Sequence, residues 1–287
     1  MKYLLILFFA LSFGLQAKTL LVSHKGIWKN HIYAQNTFEA LDQALKNGFK
    51  GVEFDVLLTK DQRLVLAHDA SLKRVSNCKG KIQEKNLSEL LKCKVTHNTK
   101  LPLTQILVKK VKKPTHFTSL KNIIDELLAR PNLEFVWIDL KDKKPGLALA
   151  LQTALEDIDD RSLLKKIMVN STDSKILMEV KDLFPEIRTS LEGKWGSEPL
   201  SDFQKYFGGI GSTHDAISLN LGFPLGHRGS LNPLFRKKRF WKLVNKYLAE
   251  AKKRSVTTVG WTVNKKKKIS KLVSLEIEYL LTDLINP

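Results

Sequence analysis

Along this chain, short apolar and β-branched runs alternate with longer stretches in which apolar residues return every three or four positions. Runs of the first kind are Thr19–Ser23, Gly51–Val56, Glu134–Asp139, Lys166–Asn170, Ile187–Leu191, Ala216–Asn220, Thr257–Thr262 and Tyr279–Leu281. Stretches of the second kind include Thr37–Asn47, Leu120–Leu128, Leu147–Glu156 and Phe240–Lys253. Strands that alternate with amphipathic helices are the pattern of a parallel sheet joined by crossover connections. Eight such strands predict an α/β chain closed into a (β/α)₈ TIM barrel.

Two segments break the rhythm. Asp69–Ser119 is long, rich in lysine and punctuated by Pro102 and Pro114, which predicts an insertion between the second and third barrel strands, placed to cap the site. Gly222–Pro233, with His227 and Arg228, follows the sixth strand and is expected on the catalytic rim. There is no internal repeat and no Pro/Ser-rich linker, so a single catalytic domain over residues 18–287 is expected, with 69–119 as its insertion.

The first residues belong to a different pattern. Lys2 is followed by an apolar run from Tyr3 to Gly14 and then by Leu15-Gln16-Ala17, which reads as a signal peptide over residues 1–17, cleaved after Ala17. The expectation is an exported protein, periplasmic or extracellular. Export permits a Cys78–Cys93 disulfide; two free thiols are the alternative. The formal net charge of +19 favours anionic partners, such as peripheral contact with an anionic membrane surface, or else describes a solvated basic face. No zinc-finger spacing, RNP-type run or helix-turn-helix signature is present, so no nucleic-acid partner is expected. A monomer acting on a small molecule is expected.

Catalytic side chains in a barrel of this kind stand at the C-terminal ends of strands. Those ends here carry His24, Glu53, Asp55, Asp139 and, in a following segment, His68. Glu53 and Asp55 are two apart and share one face of a strand. With Asp139 from the neighbouring strand they make an all-oxygen set that suits Ca²⁺ or Mg²⁺ better than zinc. Taken alone, the Glu-x-Asp pair reads as a solvated strand edge or as partners of lysines. Histidine is the side chain suited to give and take protons near neutrality, which makes His24 and His68 candidates for base and acid.

The ordered blocks His24-Lys25-Gly26, Gln35-Asn36-Thr37-Phe38-Glu39-Ala40, Gly48, Glu53-Phe54-Asp55-Val56, Thr59-Lys60-Asp61 and Val65-Leu66-Ala67-His68-Asp69 resemble the N-terminal signature of the glycerophosphodiester phosphodiesterases. Ile138-Asp139-Leu140-Lys141, Gly260-Trp261-Thr262-Val263-Asn264 and Leu281-Thr282-Asp283 resemble that family's later strands. The resemblance implies a metal-dependent phosphoric diester hydrolase. His24 and His68 would be its acid and base, and Glu53, Asp55 and Asp139 would hold one divalent cation. It places Lys25 and Lys141 near the phosphate and Trp261 as an aromatic wall at the mouth. Three positions depart from the family: Lys25 stands for arginine, Ala34-Gln35 for Pro-Glu, and Asp139 for glutamate. These keep open a phospholipase of the sphingomyelinase D type, acting on sphingomyelin or lysophospholipids, and a catalytically weak phosphate or head-group binder.

Overall fold

The computed structural model describes residues 19–100, 107–193, 214–221 and 233–287. The expected signal peptide and all of the predicted rim segment except Pro233 lie outside them. In chain order the strands are β1 (Leu20–His24), β2 (Gly51–Leu58), β3 (Leu64–Leu66), β4 (Lys94–Lys100), β5 (Leu107–His116), β6 (Phe135–Leu140), β7 (Ile167–Ser171), β8 (Arg188–Gly193), β9 (Ala216–Asn220), β10 (Thr257–Trp261) and β11 (Tyr279–Thr282). The helices are α1 (Phe38–Lys46), α2 (Leu72–Val75), α3 (Leu87–Leu90), α4 (Leu120–Leu128), α5 (Leu147–Leu155), α6 (Ser174–Leu183), α7 (Pro233–Lys253) and α8 (Lys266–Val273).

Eight strands pair in parallel in the order β1-β11-β10-β9-β8-β7-β6-β2, and a β1–β2 pairing closes the barrel. All eight apolar runs expected as strands are these strands. β2, β6 and β7 are buried along their whole length, because one face looks into the barrel and the other lies under helices. Outside, α4 buries Leu120, Ile123, Ile124, Leu127 and Leu128 in the core cluster that also holds side chains of β2, β3 and β6; each such side chain stabilises by about 1.5–3 kcal/mol. The Ser119 side chain accepts from Asn122 N and so caps the helix, worth about 1 kcal/mol. α7 starts at Pro233, ahead of the expected Phe240, since a proline suits the first helical turn, where no N–H partner is needed.

The N-terminal mouth of the barrel is plugged. Phe135 and Tyr279 stack at 4.2 Å, and the Arg188 guanidinium lies over both rings at 5.3 and 5.5 Å while donating to Tyr279 Oη at 2.9 Å. Above this apolar floor, with Trp137, Met168 and Val259, the interior turns polar towards the C-terminal ends. That is where the functional side chains gather.

The chain between β2 and β6 builds a small subassembly. β3 pairs antiparallel with the end of β2, and β4 with β5. Leu72, Val75, Ile82, Leu90, Val95, Val111 and Phe117 form a core of their own. Cys78 and Cys93 are disulfide-bonded, with Cα atoms 5.8 Å apart, so the free-thiol alternative does not hold.

Candidate active site

His24 ends β1, and the chain then turns sharply. Lys25 and Gly26 have φ of 64° and 75°, and a Cβ on Gly26 would lie 2.5 Å from Ala40 C and 2.6 Å from its O, so only glycine fits. The turn sends Lys25 N onto Glu53, 2.8 Å from Oε2 and 2.9 Å from the backbone O. Parallel register places His24 beside Glu53 and Asp55 beside Asp139. Glu53, Asp55 and Asp139 offer ligand oxygens all within 4.8 Å of one another. Glu53 and Asp55 are 1% and 0% exposed, so both carboxylates have lost their water.

His24, Lys25, Glu53, His68, Asp139, Lys141 and Trp261 line a single open cleft, with Trp137 and Asn170 at its side. Asp55 lies at 3.0 Å from Lys25 Nζ and 2.9 Å from Lys141 Nζ, and Lys141 also pairs with Asp139. The structure therefore joins two readings that the sequence left as alternatives: the carboxylates cluster at the barrel mouth, and they are paired with lysines. All eight predicted residues meet at one place, seven on the cleft wall and Asp55 beneath it.

A sequence profile described as the glycerophosphoryl diester phosphodiesterase family matches residues 24–286. The chain belongs to this family. A glycerophosphodiester phosphodiesterase of Caldanaerobacter subterraneus subsp. tengcongensis is 24% identical over 272 residues, covering 93% of this chain and 94% of its own. Among solved structures, a glycerophosphoryl diester phosphodiesterase from Silicibacter pomeroyi, itself described as putative, has a TM-score of 0.69 at 16% identity and covers 93% of this chain and 90% of its own. An Oleispira antarctica phosphodiesterase, solved with the product sn-glycerol-3-phosphate, has a TM-score of 0.61 at 16% identity and covers 93% of each chain. The structural likenesses establish the barrel. As a member of the glycerophosphodiester phosphodiesterase family, the protein is an enzyme, a phosphoric diester hydrolase.

In this family member several side chains with no role assigned from sequence complete the site. Asp283 accepts from His24 Nδ1 at 2.6 Å; since an ionised carboxylate only accepts, Nδ1 carries the hydrogen and Nε2 is left towards Glu53, 3.9 Å away. Asp283 is itself held by Asn264 Nδ2 at 2.8 Å and by Lys29 Nζ at 3.0 Å. Asn36 donates from Nδ2 to Asp55 Oδ2 at 2.8 Å and accepts from Asp55 N at 2.9 Å. Asn170 donates to Asp139 at 3.2 Å and to Glu192 at 3.3 Å. Asp69 lies 3.3 Å from His68 Nδ1. The only sequence signal for Asp283, Asn264 and Asn36 was their place in the family-like blocks; nothing pointed to Asn170 or Glu192.

The electrostatics follow from burial. Loss of water, then the neighbouring Asp55 and Asp139, push the Glu53 carboxyl well above the usual range. Burial would push Asp55 up as well, but the Lys141 and Lys25 ammoniums hold it well below. Burial and Lys25 lower the His24 imidazole, against the pull of Asp283. Burial would also raise Asp283, yet its bond to His24 and the nearby Lys29 keep it below the ordinary carboxylate range. Three convergent carboxylates, one of them pushed well above the usual range by burial and by its acidic neighbours, are a donor set that fits a hard divalent ion.

Proposed function

We propose that this enzyme hydrolyses glycerophosphodiesters to an alcohol and glycerol 3-phosphate, using His24 as base and His68 as acid. A divalent ion, Ca²⁺ or Mg²⁺, is held by Glu53, Asp55 and Asp139. The observation that carries the reading is the cleft shared by two imidazoles, two lysine side chains and the Glu53 and Asp139 carboxylates, with Asp55 clustered beneath them. The family match and the glycerol phosphate named with the Oleispira phosphodiesterase support the substrate class.

When bound, the ion supplies positive charge to the non-bridging phosphate oxygens. Lys25 and Lys141 add fixed positive charge at the same place, preorganised by Asp55. His24 is kept neutral by burial, with its Nδ1–H on Asp283, so Nε2 takes the proton of the attacking hydroxyl. That hydroxyl belongs to water or to the glycerol itself; in the second case a cyclic phosphate forms first and is opened by water. As the new P–O bond forms, the bond to the alcohol breaks, and His68 protonates the leaving oxygen. Trp261 walls the cleft beside the alcohol.

The mature chain, 18–287, acts after export and removal of residues 1–17; the Cys78–Cys93 bond supports an oxidising compartment. N-terminal sequencing of secreted protein checks the cleavage. The catalytic reading is tested with glycerophosphocholine, sphingomyelin and lysophosphatidylcholine, assayed with EDTA and with Ca²⁺ or Mg²⁺ restored, following products by ³¹P NMR. Glycerol 3-phosphate should form from glycerophosphocholine only with metal, and not in folded His24→Ala or His68→Ala protein. Normal turnover in either variant, or with EDTA, would overturn it. Melting temperatures in the same buffers read ion binding independently: a ligand at 100 times its Kd stabilises by about 2.7 kcal/mol.

A further inference from the structure

The residues from Leu90 to Ile124 include eight lysines and neither an acidic residue nor an arginine. In β5, Lys109, Lys110, Lys112 and Lys113 are all exposed around the buried Val111. So dense a strip of one sign is unusual on a strand, where lysine is a poor former. The positive field is felt locally: burial, then Lys109 and Lys112, lower the His31 imidazole.

This hairpin is fastened to the catalytic rim. Lys112 N donates to His31 O at 2.9 Å and Lys113 N to Ile32 O at 2.8 Å. From β4, the buried Asn98 accepts from Gln35 N at 2.7 Å and donates to Trp28 O and Tyr33 O at 3.3 Å each. The loop it grips leaves β1 at His24 and ends at Asn36, which holds Asp55. The basic strand therefore lies at the same end of the barrel as the cleft.

A second basic cluster stands on that rim. Lys265, Lys266 and Lys267 are exposed just after Trp261, where the chain enters α8. The first turn of α8 has no acidic residue, and no side chain caps it. Cations there oppose the helix dipole, so stability does not account for them.

We propose that these two lysine clusters form a docking face for an anionic phospholipid bilayer, which presents the catalytic cleft to the lipid surface. Lysine senses field without the bidentate geometry of arginine, and no aromatic residue stands within either lysine run; the Tyr33 ring beside the first lies under Lys113 Nζ at 5.9 Å, where base stacking would need an open face. The face extends the phosphodiester reading, since it sets that cleft against head groups, but it is tested by binding rather than turnover.

The test is co-sedimentation of the full mature protein with vesicles of phosphatidylcholine alone or mixed in equal parts with phosphatidylglycerol, at low and high salt, with polyphosphate as a soluble competitor. Binding should appear only with phosphatidylglycerol and fall with salt. Each lysine at an anionic surface is worth roughly five-fold in partitioning. K109Q/K110Q/K112Q/K113Q should therefore lower binding by roughly 600-fold, and K265Q/K266Q/K267Q by roughly 100-fold. Both variants should hydrolyse soluble glycerophosphocholine like the parent. Equal binding to both vesicles, unchanged binding in the variants, or binding to polyphosphate without binding to vesicles would each overturn the docking face. Vesicle binding without glycerophosphocholine turnover would leave the face standing and remove the catalytic reading.

Discussion

Replacing Asp283 by asparagine isolates the group that sets the state of His24. Asp283 Oδ2 is already taken by Asn264 Nδ2 at 2.8 Å and faces Lys29 Nζ at 3.0 Å, both donors. In the variant these hold the carboxamide oxygen on that side, so its NH₂ turns to His24 Nδ1. The imidazole must then accept at Nδ1 and carry its hydrogen on Nε2, the atom that should receive a proton. The lost charge-assisted bond alone is worth about 1.5–3 kcal/mol, or roughly 10- to 150-fold, and a reversed tautomer in a comparable dyad has cost about 10⁴-fold. We expect kcat on glycerophosphocholine to fall by on the order of 10² to 10⁴. Asp283 also raises the His24 pKa, so without it the acidic limb of kcat/KM should move to lower pH. The assay is a pH–rate profile of parent and variant at equal metal, with melting temperatures as the folding control. An unchanged kcat with an unmoved acidic limb would refute this role; a change confined to KM would refute it as well.

Three other outcomes follow from the same contacts. Gly26→Ala should destabilise by on the order of 3 kcal/mol, read by urea unfolding, because φ is positive and the added Cβ meets backbone atoms of Ala40 and Leu41 at 2.5 to 2.7 Å. Reducing Cys78–Cys93, 15 residues apart, should cost up to about 3 kcal/mol; the effect should appear first as proteolysis between Asp69 and Ser119, and equal protease resistance in both redox states would contradict it. Burial keeps His214, bonded to Ser174 at 2.8 Å, below its ordinary pKa. The unfolded chain then binds more protons than the folded one below about pH 6.5, and stability is lost as pH falls through that value. Urea midpoints measured from neutrality to acid should drop, with a shallower slope in His214→Gln; an identical slope would exclude His214 as a contributor.

Much of this was local and therefore legible. The eight barrel strands could be read from apolar runs, and the Glu53/Asp55 pair from the two-residue period of a strand. β3 escaped notice because three residues make no period, and β4 and β5 because lysines masked strands that are held by backbone pairing and one buried valine each. α7 was shortened because its first seven residues in sequence, Pro233 to Arg239, include a proline and four basic residues and so break the apolar period.

The sequence by itself determined the fold class and the family, and singled out two histidines and three carboxylates as candidates, because each rests on neighbours in the chain or on short blocks in order. The tertiary structure decided what those groups do to one another. His24 and Asp283 are 259 residues apart and meet only because β1 and β11 pair when the barrel closes. Lys25 and Lys141 come to Asp55 from different strands, and their charges matter only because the barrel wall has removed the water that would screen them.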